Sequence, residues 1–129
     1  MWKTIMKFLA GTIGAFLSQP VVQLLLVLMV ADIVVGMLRA IVTSEGLHSD
    51  VSYKGMAKKA MALILVGIAY VLQVQAQSVA GLEVPISIGS AVALFYSAHE
   101  FISILENAVG AGLPVPELLK SILKRYVDE

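Results

Sequence analysis

The sequence predicts an all-α membrane protein with four membrane-crossing helices, or three if the first helix lies on the membrane surface, and a C-terminal amphipathic helix. The chain has 129 residues, of which 59% are hydrophobic and 14% are charged, about half the charged share of a soluble domain. No charged residue lies between Lys7 and Asp32, between Lys59 and Glu83, or between Glu83 and Glu100. Because about 20 helical residues cross the hydrocarbon core of a bilayer, uncharged stretches of this kind indicate membrane spans.

The first two helices are separated by the corner Ser18-Gln19-Pro20, since proline is tolerated in the first turn of a helix but not in its interior. We therefore predict helix 1 over residues 2–17 and helix 2 over residues 20–42. Helix 1 has a short uncharged stretch and helically spaced apolar residues, so an amphipathic helix on the membrane surface is the alternative to a crossing. A cleaved signal peptide is disfavoured, because no small-x-small cleavage site follows.

Helices 3 and 4 follow a polar loop and are predicted over residues 54–77 and 85–107. A break rich in glycine and proline then precedes a last helix, predicted over residues 116–127. That helix has one apolar face and one basic face, which is typical of an interfacial helix that contacts anionic lipid. Together these segments are predicted to form a single polytopic membrane domain over residues 1–129.

The distribution of basic residues predicts the orientation. With four crossings, all nine Lys and Arg residues lie on one side, which the positive-inside rule makes the cytoplasm. Three crossings would place Lys3 and Lys7 outside, so we expect four crossings and cytoplasmic termini. The basic residues expected to contact lipid headgroups are Lys3, Lys7, Lys54, Lys58, Lys59, Lys120, Lys124 and Arg125.

Asp32 is a charged residue in the middle of the otherwise apolar helix 2. On insertion scales it costs about 2.5–3.5 kcal/mol, which the many Leu, Ile and Val residues of the helix offset. Arg39 lies two turns along the same face and can extend toward the headgroups. Two interpretations stay open: Asp32 lines a water-filled path or a subunit interface, or it is a neutral or paired residue that ties two helices together.

Helix 4 carries a polar stripe beside a face of small residues. The stripe, at helical spacing, consists of Tyr96, Glu100, Ser103 and Asn107. His99 and Glu106 add further polar groups to this helix. The small residues, together with Gly36 of helix 2, are predicted to be packing positions: Gly89, Ala93 and Ser97. Spacing of this kind lets membrane helices approach closely, either within one bundle or between copies of the chain.

The composition disfavours several classes of function. Nine acidic residues balance nine basic ones, so no bulk attraction to nucleic acid is expected. The chain has no cysteine, which excludes thiolate nucleophiles and Cys-based metal sites. The adjacent His99 and Glu100 point about 100° apart on a helix and do not form a metal pair. We therefore predict no catalytic residue, no metal site and no cofactor.

Four segments follow one another along the chain: Leu28-Met-Val-Ala-Asp32-Ile-Val-Val-Gly36, Ser52-Tyr-Lys54-Gly55-Met-Ala-Lys58-Lys59, His99-Glu100-Phe-Ile-Ser103-Ile-Leu-Glu106-Asn107, and Gly112-Leu-Pro114-Val-Pro116. In order and in register, they resemble motifs of a family of bacteriophage holins, which includes holin-like proteins linked to toxin secretion in clostridia. The resemblance covers about Leu24 to Leu123, and the chain differs from the family pattern at His99 and Phe101.

The resemblance implies a protein of the bacterial cytoplasmic membrane that is made late in phage infection. Such proteins form homo-oligomers and open lesions through which an endolysin reaches the cell wall, in some cases under the control of an antiholin. From the residues alone, two other functions stay open. One is a small transporter or proton-coupled subunit with Asp32, His99 and Glu100 as a relay, and the other is a structural subunit of a larger membrane complex.

Overall fold

The computed structural model describes residues 1–46, 49–81 and 87–128, and over these residues the chain forms five α-helices and no strand. The prediction of an all-α protein is confirmed. The first two helices cover the residues predicted from the position of Pro20. The helices are α1 (Trp2–Leu17), α2 (Pro20–Val42), α3 (Ser49–Ala80), α4 (Ile88–Gly110) and α5 (Glu117–Asp128).

α3 and α4 differ from the predicted ranges at their ends. α3 begins five residues earlier, at Ser49, and ends three residues later, at Ala80; its first residues are serine and aspartate, which are favoured at the start of a helix. α4 ends at Gly110 rather than at residue 107. Gly112 then takes a left-handed conformation (φ 87°), and the backbone N–H of Leu113 donates to the carbonyl oxygen of Ala108 at 3.0 Å, which closes the helix. The predicted start of helix 4, Pro85, lies outside the described residues.

Three helices among the described residues are long and apolar enough to cross a membrane: Pro20–Val42, Ser52–Val79 and Ile88–Gly110. α1 has 16 residues and rises about 24 Å, less than the ~30 Å of a hydrocarbon core. The fourth crossing expected from the sequence is therefore not established by helix length. α5 has 12 residues and is too short to span.

α4 packs against both α2 and α3, and these three helices form the bundle. Its core is narrow, and most large apolar side chains point outward, as Val27, Ile64 and Phe95 do at 65%, 61% and 66% exposure. Outward apolar side chains on every long helix are unfavourable in water but are well solvated by lipid tails. The buried core consists of Val22, Leu25 and Met29 of α2, Ala62 and Val66 of α3, and Ala93 of α4.

Candidate functional site: a charged cluster inside the helix bundle

A lysine of α3 joins two carboxylates from the other two helices of the bundle. The Lys59 Nζ atom lies 2.8 Å from Oδ2 of Asp32 on α2 and 2.5 Å from Oε2 of Glu100 on α4. The three side chains are 15%, 11% and 8% exposed, respectively. One ammonium group therefore connects all three long helices through charge-assisted hydrogen bonds, which are the stronger kind.

Two further polar side chains extend this contact toward the end of α2. Asn107 Nδ2 donates to Oδ1 of Asp32 at 3.2 Å, and Arg39 donates from its guanidinium to Oδ1 of Asn107 at 3.4 Å. The Arg39 guanidinium also lies directly against the backbone of Gly110. We call the five residues Asp32, Arg39, Lys59, Glu100 and Asn107 the polar cluster.

The polar cluster is formally neutral and lies deep in the bundle. Its two carboxylates are matched by two basic residues, so the cluster as a whole carries no net formal charge. Asp32, Lys59 and Glu100 each lie ten residues from the helix end on the side of the α2–α3 connection, a rise of about 15 Å. All three residues lie inside the candidate spans Pro20–Val42, Ser52–Val79 and Ile88–Gly110. Charge matching is what makes such a position tolerable, since an isolated charge at that depth is expensive.

Two cavities reach the polar cluster from different sides. A cavity of about 450 Å³ extends from Asp32 and Lys59 past Arg39 to Glu45 and Gly46 beyond the end of α2. A second cavity, of about 350 Å³, lies between α3 and α4 and is lined by Lys59, Tyr96, His99, Glu100 and Ser103, among others. Asp32, Gly55 and Lys59 line both cavities. Residues of the ion pairs thus contribute to the walls of both cavities.

Lys59 takes a position that the charge pattern alone does not predict. The charge pattern predicts that Lys59, like Lys54 and Lys58, contacts lipid headgroups. In the structure Lys54 and Lys58 are exposed, whereas Lys59 points into the bundle. A periodicity signal was available: residues 59, 62, 66 and 69 share one helix face, and its apolar members, Ala62, Val66 and Ala69, are all buried.

The small-residue face of α4 is buried within a single copy of the chain. Ala93 belongs to the core, Ser97 is 4% exposed, and a Cβ atom added at Gly89 would overlap the ring of Tyr70 on α3. Gly36 on α2 faces the side-chain amide of Asn107. In this arrangement these residues provide close packing between helices of one bundle: the three α4 residues are buried, and Gly36 is half-buried beside the larger cavity.

The other polar residues singled out in the sequence are not members of the polar cluster. Tyr96 packs against the core, Ser103 and His99 line the smaller cavity, and Glu106 is exposed. The terminal basic residues all have exposed side chains: Lys3, Lys7, Lys120, Lys124 and Arg125.

A second polar contact joins α3 to α4 at the opposite end of the bundle. The sequence patterns described above do not predict it. The side-chain oxygen of Gln73 accepts hydrogen bonds from the Ser87 hydroxyl at 2.9 Å and from the backbone N–H of Gly89 at 3.2 Å. The Tyr70 and Ser90 hydroxyl groups lie 3.1 Å apart. This contact satisfies polar groups where α4 begins, and it contains no charge.

Among residues 1–46, 49–81 and 87–128, no group of three or more His, Cys, Asp or Glu side chains is arranged to hold a metal ion. The carboxylates of Asp32 and Glu100 are instead bound by Lys59. The arrangement therefore supports electrostatic joining of helices rather than metal coordination.

Comparisons with known proteins agree with this architecture. The profile of the bacteriophage holin family matches residues 5–128. An uncharacterized protein of Listeria monocytogenes is 41% identical over 108 residues, covering 79% of this chain and 68% of the relative. An uncharacterized protein of Halalkalibacterium halodurans is 39% identical over 105 residues (79% and 76%). An uncharacterized 14.9 kDa protein of Clostridium perfringens, from the nagH 3′ region, is 32% identical over 101 residues (78% and 72%).

No solved structure matches the chain significantly. The family profile nevertheless spans nearly the whole sequence, and three apolar helices of sufficient length integrate the protein into a membrane. The chain therefore belongs to the bacteriophage holin family.

Proposed function

We propose that this protein is a holin that self-associates in the bacterial cytoplasmic membrane and opens lesions, through which an endolysin reaches the cell wall. The observation that carries the proposal is the polar cluster: Lys59 holds Asp32 and Glu100 inside the helix bundle, within the three candidate spans. A chain of this kind acts within the membrane itself, and its charged side chains are the groups that can interact with water or with another copy there.

The closed state, in this proposal, is the single-copy bundle with its ion pairs formed. In lipid, helices associate through close packing and polar contacts, because lipid tails provide no hydrophobic driving force between them. When α2, α3 and α4 separate, Asp32, Lys59 and Glu100 lose their partners and need water or matching charges on a neighbouring copy. Many copies that open together can turn these groups toward a shared aqueous space, which is a lesion.

The transmembrane potential is our proposed trigger. Moving one elementary charge across 100 mV is worth about 2.3 kcal/mol, and Arg39, Asp32, Lys59 and Glu100 all carry formal charge within or near the spans. A partial loss of potential changes the balance between the closed bundle and an opened one. A ligand or field shifts such a balance only by its differential interaction with the two states.

We further propose four crossings, with both termini in the cytoplasm. α1 follows α3 over part of its length: residues between Lys7 and Phe16 of α1, with Gln19 just beyond it, and residues between Ile64 and Leu72 of α3 line the same groove. Such a course carries Lys3 and Lys7 toward the side of the other basic residues, as the positive-inside rule requires. α5, with exposed Leu118 and Ile122 on one face and basic residues on the other, lies on the headgroups in this topology.

The topology can be tested with single cysteines, because the natural chain has none. Lys3→Cys, Glu83→Cys and Lys120→Cys variants are treated on intact spheroplasts with a membrane-impermeant maleimide. Four crossings leave only Glu83→Cys accessible from outside. Labelling of Lys3→Cys on intact spheroplasts would instead place α1 on the outer surface.

The function is tested by inducible expression in a bacterium, with and without a co-expressed endolysin. We expect growth to continue, followed by an abrupt fall in membrane potential, release of cytoplasmic protein, and lysis only when the endolysin is present. A potential that stays normal at full expression of membrane-inserted protein would overturn the proposal. An antiholin, if one acts on this protein, would delay the fall.

The two cavities that flank the polar cluster favour a second candidate, a proton-coupled or solute transporter. Transporters place charged side chains near the midplane between spaces open to water, and Lys59 lines both the 450 and the 350 Å³ cavity. If the protein is a transporter, we expect saturable flux of one solute and no loss of viability of the expressing cells. Export of a toxin by a holin-like route would instead release one protein without general leakage.

A further inference from the structure

A groove between α1 and α3 has the features of a lipid-binding site. It encloses about 850 Å³ and is lined almost wholly by apolar side chains, with one lysine, Lys7, among its lining residues. Gly11 on α1 and Gly67 on α3 line it, and neither has any atom within 4 Å of where a Cβ would lie. The space between these helices is therefore open rather than closed by helix packing.

The groove is amphipathic along its length. Lys7 lines it near the start of α1. Near the end of α1, the rings of Phe16 and Tyr70 meet edge to face, with centroids 5.9 Å apart. A molecule that fits has an anionic group at the Lys7 end and an apolar tail that ends at the aromatic pair.

The length of the groove distinguishes a lipid from a helix. The groove lining runs from Lys7 to Gln19, twelve positions along the chain and a rise of about 18 Å. This is little more than one leaflet, half of a hydrocarbon core of about 30 Å. A helix from a second copy would be expected to follow the contact through both leaflets, and it would have to offer a carboxylate to Lys7.

We propose that this groove binds one acyl chain of an anionic phospholipid, with the lipid phosphate on Lys7. Basic pockets between membrane helices are known to take anionic headgroups. Lys3, one turn before Lys7 on the same face of α1, lies where it can extend the headgroup contact. The bound lipid would hold α1 beside α3 without direct contact between their backbones. This inference does not depend on lesion formation.

The single tryptophan of the chain, Trp2, provides the readout, since it is adjacent to Lys3 and lies five positions before Lys7 on the same helix. The purified full-length protein is reconstituted in phosphatidylcholine vesicles that contain a small, equal mole fraction of either brominated phosphatidylglycerol or brominated phosphatidylcholine. We expect the anionic lipid to quench Trp2 at roughly fivefold lower mole fraction, the equivalent of about 1 kcal/mol per basic residue near an anionic lipid.

Three variants separate the groove from general surface attraction. Lys7→Gln removes the cation, and Gly67→Leu fills the groove while both lysines remain. Both are expected to lose the preference for anionic lipid. Gly14→Leu adds the same side chain to α1 at a position outside the groove lining. This variant is expected to keep the preference for anionic lipid. Gly11→Leu fills the groove from the opposite wall and serves if Gly67→Leu does not fold, as judged by circular dichroism.

Equal quenching by the two lipids, or a preference that survives both Gly67→Leu and Gly11→Leu, would overturn the proposal. Quenching that falls for both lipids as the protein-to-lipid ratio rises would also overturn it, because a second copy would then occupy the groove. A protein that fails to lyse cells but keeps the lipid preference would refute the proposed function and leave this site intact.

Discussion

Replacing Lys59 by methionine is expected to make the protein open the membrane earlier after induction. The substitution keeps an unbranched side chain of similar length but removes the ammonium group that joins Asp32 to Glu100. Two carboxylates with side chains only 11% and 8% exposed are then left close together without a matching cation. The closed bundle loses the contact between α3 and both of its neighbours.

The size of the effect follows from this geometry. Removing one member of a buried ion pair costs about 3–5 kcal/mol, because the remaining charge is left uncompensated. At about 1.4 kcal/mol per factor of ten, this amounts to between two and four orders of magnitude in the ratio of closed to open bundle. A change of that size is expected to move the fall in potential to a much earlier time at equal protein level.

The assay follows a potential-sensitive dye after induction, with protein amount measured by immunoblot. Lys58→Met is the matched control, since Lys58 is the exposed neighbour and makes no ion pair with Asp32 or Glu100. A quadruple variant, Asp32→Asn with Arg39→Gln, Lys59→Met and Glu100→Gln, removes all four charges of the polar cluster. Neutral replacement of a buried ion cluster is often neutral or stabilising, so its onset is expected at or after that of the natural protein. The same onset for Lys59→Met and Lys58→Met would refute the reasoning.

Three further changes test the same bundle. Asp32→Asn keeps the ion pair of Lys59 with Glu100, so we expect it to advance the fall in membrane potential less than Lys59→Met does. An equal advance would contradict the role of Lys59 in joining both carboxylates. Gly89→Val places a side chain where the Tyr70 ring lies, so we expect the free energy of unfolding in detergent to fall by about 1–3 kcal/mol. Gly14→Val is the control, because the space around Gly14 is open, and its loss should be smaller. Equal losses for the two variants would refute the packing of Gly89 against Tyr70. Tyr70→Cys with Gly89→Cys places two β-carbons within disulfide reach. The oxidised protein should stay closed until a reductant is added, and lysis without reductant would show that α3 and α4 do not need to separate.

Much of the fold follows from a few residues of the sequence. Pro20 fixes the boundary between α1 and α2, because it suits the first turn of a helix and no later one. The start of α3 is less predictable, since a polar helix turn outside the membrane has no apolar periodicity to mark it. The end of α4 depends on Gly112, whose left-handed conformation closes the helix later than the last stripe residue, Asn107.

The sequence predicts the two carboxylates of the candidate site but not the lysine that binds them. Asp32 and Glu100 stood out because charges are rare in apolar helices, but a sequence does not state which basic residue matches them. Counting basic residues assigns a side of the membrane, not a face of a helix, so Lys59 was grouped with Lys58. The small-residue spacing on α4 predicted close approach of another helix. It could not say that this helix belongs to the same copy.

The position of Lys59 has a consequence for how copies associate. Within one copy, α4 already uses its small-residue face and Glu100 to pack against α2 and α3. The surfaces left for a neighbour are the outward apolar faces, which lipid solvates as well as another helix does. We therefore expect association of closed copies to be weak, and stronger association to require that the polar cluster becomes available. In the proposed mechanism, opening and assembly are one coupled step: each bundle that releases Lys59 would offer the next copy one ammonium and two carboxylates, and the cost of opening would fall as neighbours open.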